Sequence, residues 1–166
     1  MRTVLKALPL FALAACGTAQ PPPLQPGTQA DRIVVVKSQR WLTAYAGEQE
    51  LVTYFHIGFD GESTSAKRFE GDGRTPEGTY MLKRKARELG PPRSFRISYP
   101  SPADRAHAKA RGRSAGGDIL LRSSADFSRG SGLTTRPGDG SIILKEWEMQ
   151  QLLTLVPDGT PIIIRP

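Results

Sequence analysis

The stretch Phe69-Glu70-Gly71-Asp72-Gly73-Arg74-Thr75-Pro76-Glu77-Gly78-Thr79-Tyr80 limits the chain's fold more than any other segment. Gly71, Gly73 and Gly78 permit positive φ, and Pro76 presets a turn position, so the segment reads as a turn-rich loop that feeds a strand. Its acids, Glu70, Asp72 and Glu77, read as partners for loop amides and for Arg74, with acid–base chemistry as the other reading.

Strand signals dominate the rest. Arg32 to Val36 is a β-branched run. A short Lys37 to Arg40 turn separates it from Trp41 to Tyr45. Leu51 to Ile57 alternates Val, Tyr and Phe with polar or small residues, and the three runs predict an antiparallel meander. Gly78 to Lys83, Phe95 to Tyr99, Asp118 to Leu121, Ser141 to Leu144 and Pro161 to Arg165 are the remaining strand candidates.

Two helices are predicted. Ser101-Pro102-Ala103-Asp104 sets an N-cap serine before an N1 proline with an acid at N3, and Gly112 is a suitable residue just past the end. Met149, Leu152, Leu153 and Val156 give a second helix, about Glu146 to Leu155, the apolar stripe of a half-buried face. Mostly strands with two short helices specify a β-rich α+β domain.

The N-terminal part has a different character. Arg2 and Lys6 precede the apolar run Ala7 to Ala15, which is shorter than the ~20 residues a membrane span needs, so residues 1–15 read as a signal peptide. The only cysteine, Cys16, closes Leu13-Ala14-Ala15-Cys16-Gly17, which resembles a bacterial lipobox. That resemblance implies cleavage before Cys16 and lipid on its thiol; an ordinary signal peptide would leave Cys16 incidental. Gly17, rather than an Asp, follows the cysteine, which makes the periplasmic face of the outer membrane the default destination of an exported, lipid-anchored protein. Residues 16–29 carry Pro21, Pro22, Pro23 and Pro26 and read as an extended tether. Residues 30–166 then form one domain of common size.

The formal net charge is +7. Ten basic residues lie between Lys83 and Arg113, opposed only by Glu88 and Asp104. Such a segment draws anionic partners, or simply forms a solvated face. Nucleic acid is not expected, because an exported lipoprotein does not meet it; anionic headgroups and peptidoglycan carboxylates are the polyanions at hand. Two isolated histidines and one cysteine offer no metal set, and no cofactor is expected.

The Phe69–Tyr80 stretch resembles the GDGRTPEG signature of the L,D-transpeptidase (YkuD-type) catalytic domain. Arg96-Ile97-Ser98-Tyr99-Pro100, the Ala-Asp-Arg-Ala helix, Gly116-Gly117-Asp118-Ile119 and Leu155-Val156-Pro157-Asp158-Gly159-Thr160-Pro161 are similar to that family in order and spacing. The resemblance implies a β-sandwich-like mixed-sheet domain with a cleft for a peptidoglycan stem peptide. It also implies a cysteine nucleophile that forms an acyl-enzyme and a histidine base.

Those two groups are replaced here. The histidine position falls on Arg122 and its following glycine on Ser123. The Ser/Thr position falls on Gly138, the glycine is kept as Gly140, and the cysteine position falls on Ser141, followed by Ile142. The arginine many members carry falls on Ile143. A guanidinium stays protonated at accessible pH and cannot act as base. A serine hydroxyl is a far weaker acid than a thiol and needs a well-placed base. Lys145 and Asp139 are the neighbouring candidates, but four strand residues span more than 10 Å and adjacent residues seldom aim at one point. His56 reads as a packed or edge residue of a strand, His107 as solvent-facing. The expectation is a catalytically inactive envelope lipoprotein that binds stem peptides, with Arg122 gripping a carboxylate and Gly140 and Ser141 offering amides to a carbonyl. Arg122 reaching idly to solvent and Ser141 acting as the nucleophile of an active transpeptidase or hydrolase are the alternatives.

Overall fold

The computed structural model describes residues 27–62, 64–85, 93–124 and 138–166. The leader, Cys16, the tether prolines, Arg87 and Glu88 lie outside these residues.

In chain order the elements are β1 (Arg32–Val36), β2 (Trp41–Ala46), β3 (Gln49–Phe55), β4 (Gly58–Phe59), β5 (Gly78–Arg84), β6 (Ser94–Ile97), α1 (Pro102–Lys109), β7 (Leu120–Ser123), β8 (Ile142–Leu144), α2 (Glu146–Leu155) and β9 (Pro161–Arg165). The strands hydrogen-bond in the order β3-β2-β1-β9-β5-β6-β7-β8-β4. The expected meander is present, with β2 antiparallel to both β1 and β3. Two parallel pairs, β1–β9 and β7–β8, interrupt an otherwise antiparallel order.

One strand joins the two halves. Gly78 to Met81 of β5 pair with β9, and Leu82 to Arg84 pair with β6. Strands that change partners in this way make the corners between packed sheets. Alternating inward residues from both halves (Ile33, Val35, Leu42, Ile162 on one side, Leu82, Phe95, Leu121, Ile142 on the other) meet in one buried cluster. Ala108 of α1 and Met149 and Leu152 of α2 join it, as does Val156 just beyond α2. The β-rich α+β class, with two helices among the described residues, agrees with the sequence expectation.

The helix signals act as read. Ser101 Oγ accepts from the Asp104 amide at 3.2 Å, and Asp104 Oδ2 accepts from the Ser101 amide at 2.9 Å. Such reciprocal capping typically contributes about 1 kcal/mol. The helix stops at Lys109, and Ala110 to Gly112 form the turn that leaves it.

Several boundaries move for identifiable reasons. The third strand ends at Phe55, because His56 adopts φ +60°, and His56 is exposed rather than packed in a strand. The predicted Asp118 to Leu121 strand begins at Leu120, because Asp118 takes φ +60°, and it extends to Ser123 because Leu144 of β8 pairs there. β4 is two residues long, too short to leave a periodic signal.

Candidate functional site

Arg122 lies on β7, opposite Ser94 of β6 and Ile143 of β8. It is only 1 % exposed. Its Nη2 donates to Asp60 Oδ2 at 2.9 Å. Asp60 directly follows β4 and holds the start of β8 by three further contacts: its Oδ1 accepts from the Gly138 amide, its carbonyl from the Gly140 amide, and its own amide donates to the Ser141 carbonyl, all at 2.9 Å. One residue therefore fixes Arg122 on β7 and the chain entering β8. A buried pair of this kind is costly to break from one side, about 3–5 kcal/mol, because the remaining charge is left uncompensated.

Ser141 is fully buried. Its Oγ accepts from the Leu120 amide at 3.1 Å, and its own amide donates to Asp139 Oδ1 at 2.8 Å. An aspartate accepting from the amide two residues on closes a local turn, so this carboxylate is engaged by the Ser141 backbone. Burial pushes the Asp139 carboxyl above its usual range, and the Asp60 carboxylate adds to this; Ser141 and Arg122 pull the other way. The serine hydroxyl is sealed from solvent.

The glycine-rich loop forms the other wall. Gly140 has φ +91°, and a Cβ there would lie 1.9 Å from the Arg74 carbonyl oxygen. Thr75, itself fully buried, donates from Oγ1 to the Gly140 carbonyl at 2.8 Å. Asp72 accepts the amides of Arg68, Phe69 and Arg74 and the Lys67 ammonium. Burial alone would raise its carboxyl, yet these donors outweigh burial and hold it below the usual range. Arg74 pairs with Glu62 at 3.0 Å, and Glu77 with Lys37 at 2.7 Å. The loop acids thus brace the loop. Tyr80 carries the bracing on to α1 by donating to Asp104 Oδ2 at 3.2 Å.

The other sequence-selected residues take plainer places. The Gly140 and Ser141 amides, expected to face a carbonyl, are already donated to Asp60 and Asp139. Arg122 neither reaches to solvent nor opens toward a ligand carboxylate; it faces Asp60. Ser123 donates to Glu146 at 2.7 Å. Lys145 turns outward and pairs with Glu148 at 3.6 Å, away from any role as base. His107 is half-buried against Phe69, with ring centroids 5.9 Å apart, rather than free in solvent. The basic segment divides between β5–β6 and the α1 region, and several members are spent locally: Arg84 on the Leu153 and Val156 carbonyls, Arg113 over the Phe69 ring.

Asp60, Thr75 and Lys37 were not singled out from the sequence. Asp60-Gly61 reads as an ordinary turn, and nothing in its spacing ties it to Arg122, sixty-two residues away. Lys37 sits in what reads as a surface turn, yet its side chain is buried and donates to the Ser65 carbonyl at 2.8 Å.

Comparison with known proteins agrees with this fold. The family model of the L,D-transpeptidase catalytic domain (YkuD) matches residues 30–164. Among solved structures, the helical cell shape determining protein Pgp2 from Campylobacter jejuni superposes with a TM-score of 0.59 at 22% identity, covering 82% of this chain and 48% of that one. Bd1075 from Bdellovibrio bacteriovorus gives 0.52 at 23% identity, with 82% and 48% covered. An L,D-transpeptidase from Mycobacterium smegmatis gives 0.51 at 16% identity, with 82% and 59% covered. The chain thus spans about half the length of the first two. Curated protein sequences gave no match.

Proposed function

The chain belongs to the L,D-transpeptidase catalytic-domain family, which acts on peptidoglycan, and we propose that it binds stem peptides as an envelope lipoprotein without acyl transfer. The observation that carries this reading is the Arg122–Asp60 pair. At the position of the family's base stands a guanidinium that is 1 % exposed and already bonded to a carboxylate. At the position of the nucleophile stands a hydroxyl with no solvent access. Losing either member of such a unit typically costs on the order of 10⁶ in turnover, and both are replaced.

The scaffold around the two positions is kept but closed on itself, which suits a role without acyl transfer and leaves binding to other parts of the surface. Cys16, carrying lipid, would anchor the chain; residues 16–29 would hold the domain off the membrane, on the periplasmic side of the outer membrane. Multiple acyl chains on one cysteine would make that anchor stable.

The test uses a soluble form beginning after Cys16. Retention on isolated sacculi with no change in purified muropeptides is the expected result. New cross-linked or trimmed muropeptides would instead favour a working Ser141. Failure to sediment with sacculi would count against the binding role itself.

A further inference from the structure

The outward faces of β5 and β6 enclose an open cavity of about 410 Å³. Met81 supplies apolar lining, Lys83 and Arg96 line it with positive charge, and Ser98 and Asp158 complete the part that matters here. Strand alternation places Met81 and Lys83 on one face of β5, and register puts Lys83 directly opposite Arg96. Two like charges facing each other across a strand pair are unfavourable. Asp118 relieves Arg96 at 2.8 Å. Lys83 pairs with no carboxylate among the described residues. Asp158 is turned to the neighbouring strand residue, accepting from the Arg84 amide at 2.8 Å.

The cavity therefore asks for a ligand of mixed character. An anionic group would settle the Lys83 ammonium and share Arg96. A short aliphatic side chain would cover Met81, which is 50% exposed. An amide or amine would donate to Asp158. Ser98 already accepts from the Met81 amide through its Oγ at 2.9 Å, so its hydroxyl hydrogen is left to donate to a ligand oxygen. A carboxylate at the rim disfavours a layer of phosphates, whereas a short peptide with a free carboxylate supplies all three features.

The register also links this cavity to the closed site. Arg96 pairs with Leu120, and the Leu120 amide donates to Ser141 Oγ. The row Lys83–Arg96–Leu120 crosses β5, β6 and β7 and ends against Ser141.

We infer that the Lys83–Arg96 cavity on β5–β6 binds the free carboxylate of a short stem-type peptide. This rests on the peptidoglycan-binding reading and names the contact within it. The experiment measures affinity for an acidic stem tetrapeptide, for the same peptide with its carboxylates amidated, and for phosphatidylglycerol vesicles, alongside retention on sacculi. The proteins are wild type, Lys83→Ala, Arg96→Ala and, as a charge-matched comparison on α1, Lys109→Ala.

Loss of about tenfold in peptide affinity is expected for Lys83→Ala and for amidation of the ligand, with native Tm and with Lys109→Ala close to wild type. Equal losses from Lys83→Ala and Lys109→Ala would reduce the effect to diffuse charge and overturn the site. Undiminished binding of the amidated peptide, or vesicles displacing the peptide, would overturn it as well. Sacculus retention without tetrapeptide affinity would sink this inference and leave the broader reading standing. Wild type that binds neither would remove both.

Discussion

Arg122 and Asp60 form an ion pair at 2.9 Å that ties β7 to the chain entering β8. The side chains are 2 % and 12 % exposed, so the pair is worth more as a constraint than as a surface charge. Replacing Arg122 by Met leaves a buried carboxylate uncompensated, and the expected loss is about 3–5 kcal/mol. Asp60→Asn on that background keeps an oxygen for the Gly138 amide and removes the stranded charge, so it should recover much of the loss. Urea unfolding of the two single variants and the double variant checks this. Strictly additive effects would mean the pair is not coupled.

Gly140 packs against the glycine-rich loop without room for a side chain. Its φ of +91° and the 1.9 Å approach of the Arg74 oxygen to any Cβ place Gly140→Ala among the exceptional substitutions, at about 4 kcal/mol or more. Gly112→Ala is the natural comparison. Its φ is +65°, but no atom lies within 4 Å of the added carbon, and the expected cost is about 1 kcal/mol. Thermal unfolding of both variants should separate them clearly, and similar Tm values would contradict the close packing.

Two aspartates on this wall should respond to pH in opposite directions. The Asp72 carboxyl is held below its usual range, so its contribution is present above the unfolded carboxylate pKa and is lost as pH falls through the folded value. Asp72→Asn should therefore destabilise at neutral pH, by about 1–3 kcal/mol for the lost donors, and matter little in acid. The Asp139 carboxyl is raised by burial and by Asp60, against Ser141 and Arg122. Here the folded state binds the proton more tightly, so the charged form costs stability at neutral pH. That cost is relieved as pH falls through the raised folded value. Asp139→Asn should raise Tm at neutral pH and lose its advantage on acidification. Parallel pH profiles for the two variants would contradict the assignment.

Much of the fold was legible because its signals are local. The Ser101–Asp104 cap, the Met149–Leu152–Val156 stripe and the alternation in β1 to β3 each lie within a few residues. The Phe69–Tyr80 loop was legible as a family signature, and the resemblance continuing through Gly116-Gly117-Asp118-Ile119 and Gly140 drew attention to Arg122 and Ser141. What those residues touch was not legible. Asp60 reaches Arg122 across sixty-two positions, and Lys37 reaches Glu77 across forty. Contacts made by tertiary packing leave no spacing to read. Asp139 was set aside as a base for the Ser141 hydroxyl, and its carboxylate takes the Ser141 backbone amide, a bond no side-chain pattern announces.

Cys16 should carry lipid. The Leu13-Ala14-Ala15-Cys16-Gly17 run and the proline-rich residues after it motivate this. Metabolic labelling with a fatty acid is expected to mark wild type and to leave Cys16→Ser unmarked, with the variant recovered in the soluble fraction. Equal labelling of the two would end the anchor reading.

The last expectation concerns the chemistry that was replaced. Wild type should form no adduct with a carbapenem, the acylating class the family implies, as read by intact mass on protein beginning after Cys16. Ser141→Cys alone should gain little, because Arg122 accepts no proton. Adding Arg122→His supplies an imidazole beside Asp60, whose carboxylate now bonds the guanidinium at 2.9 Å and would then accept from the ring and orient it. A slow adduct is expected from the double variant, slower again with Asp60→Asn. Recovery should be partial. The Ser141 position is fully buried, Gly138 and Ile143 also depart from the family pattern, and a misplacement of ~1 Å can cost 10²-fold. An adduct on Ser141 of the wild type would overturn the inactive reading, and a double variant as inert as wild type would contradict the placement of base and nucleophile on Arg122 and Ser141.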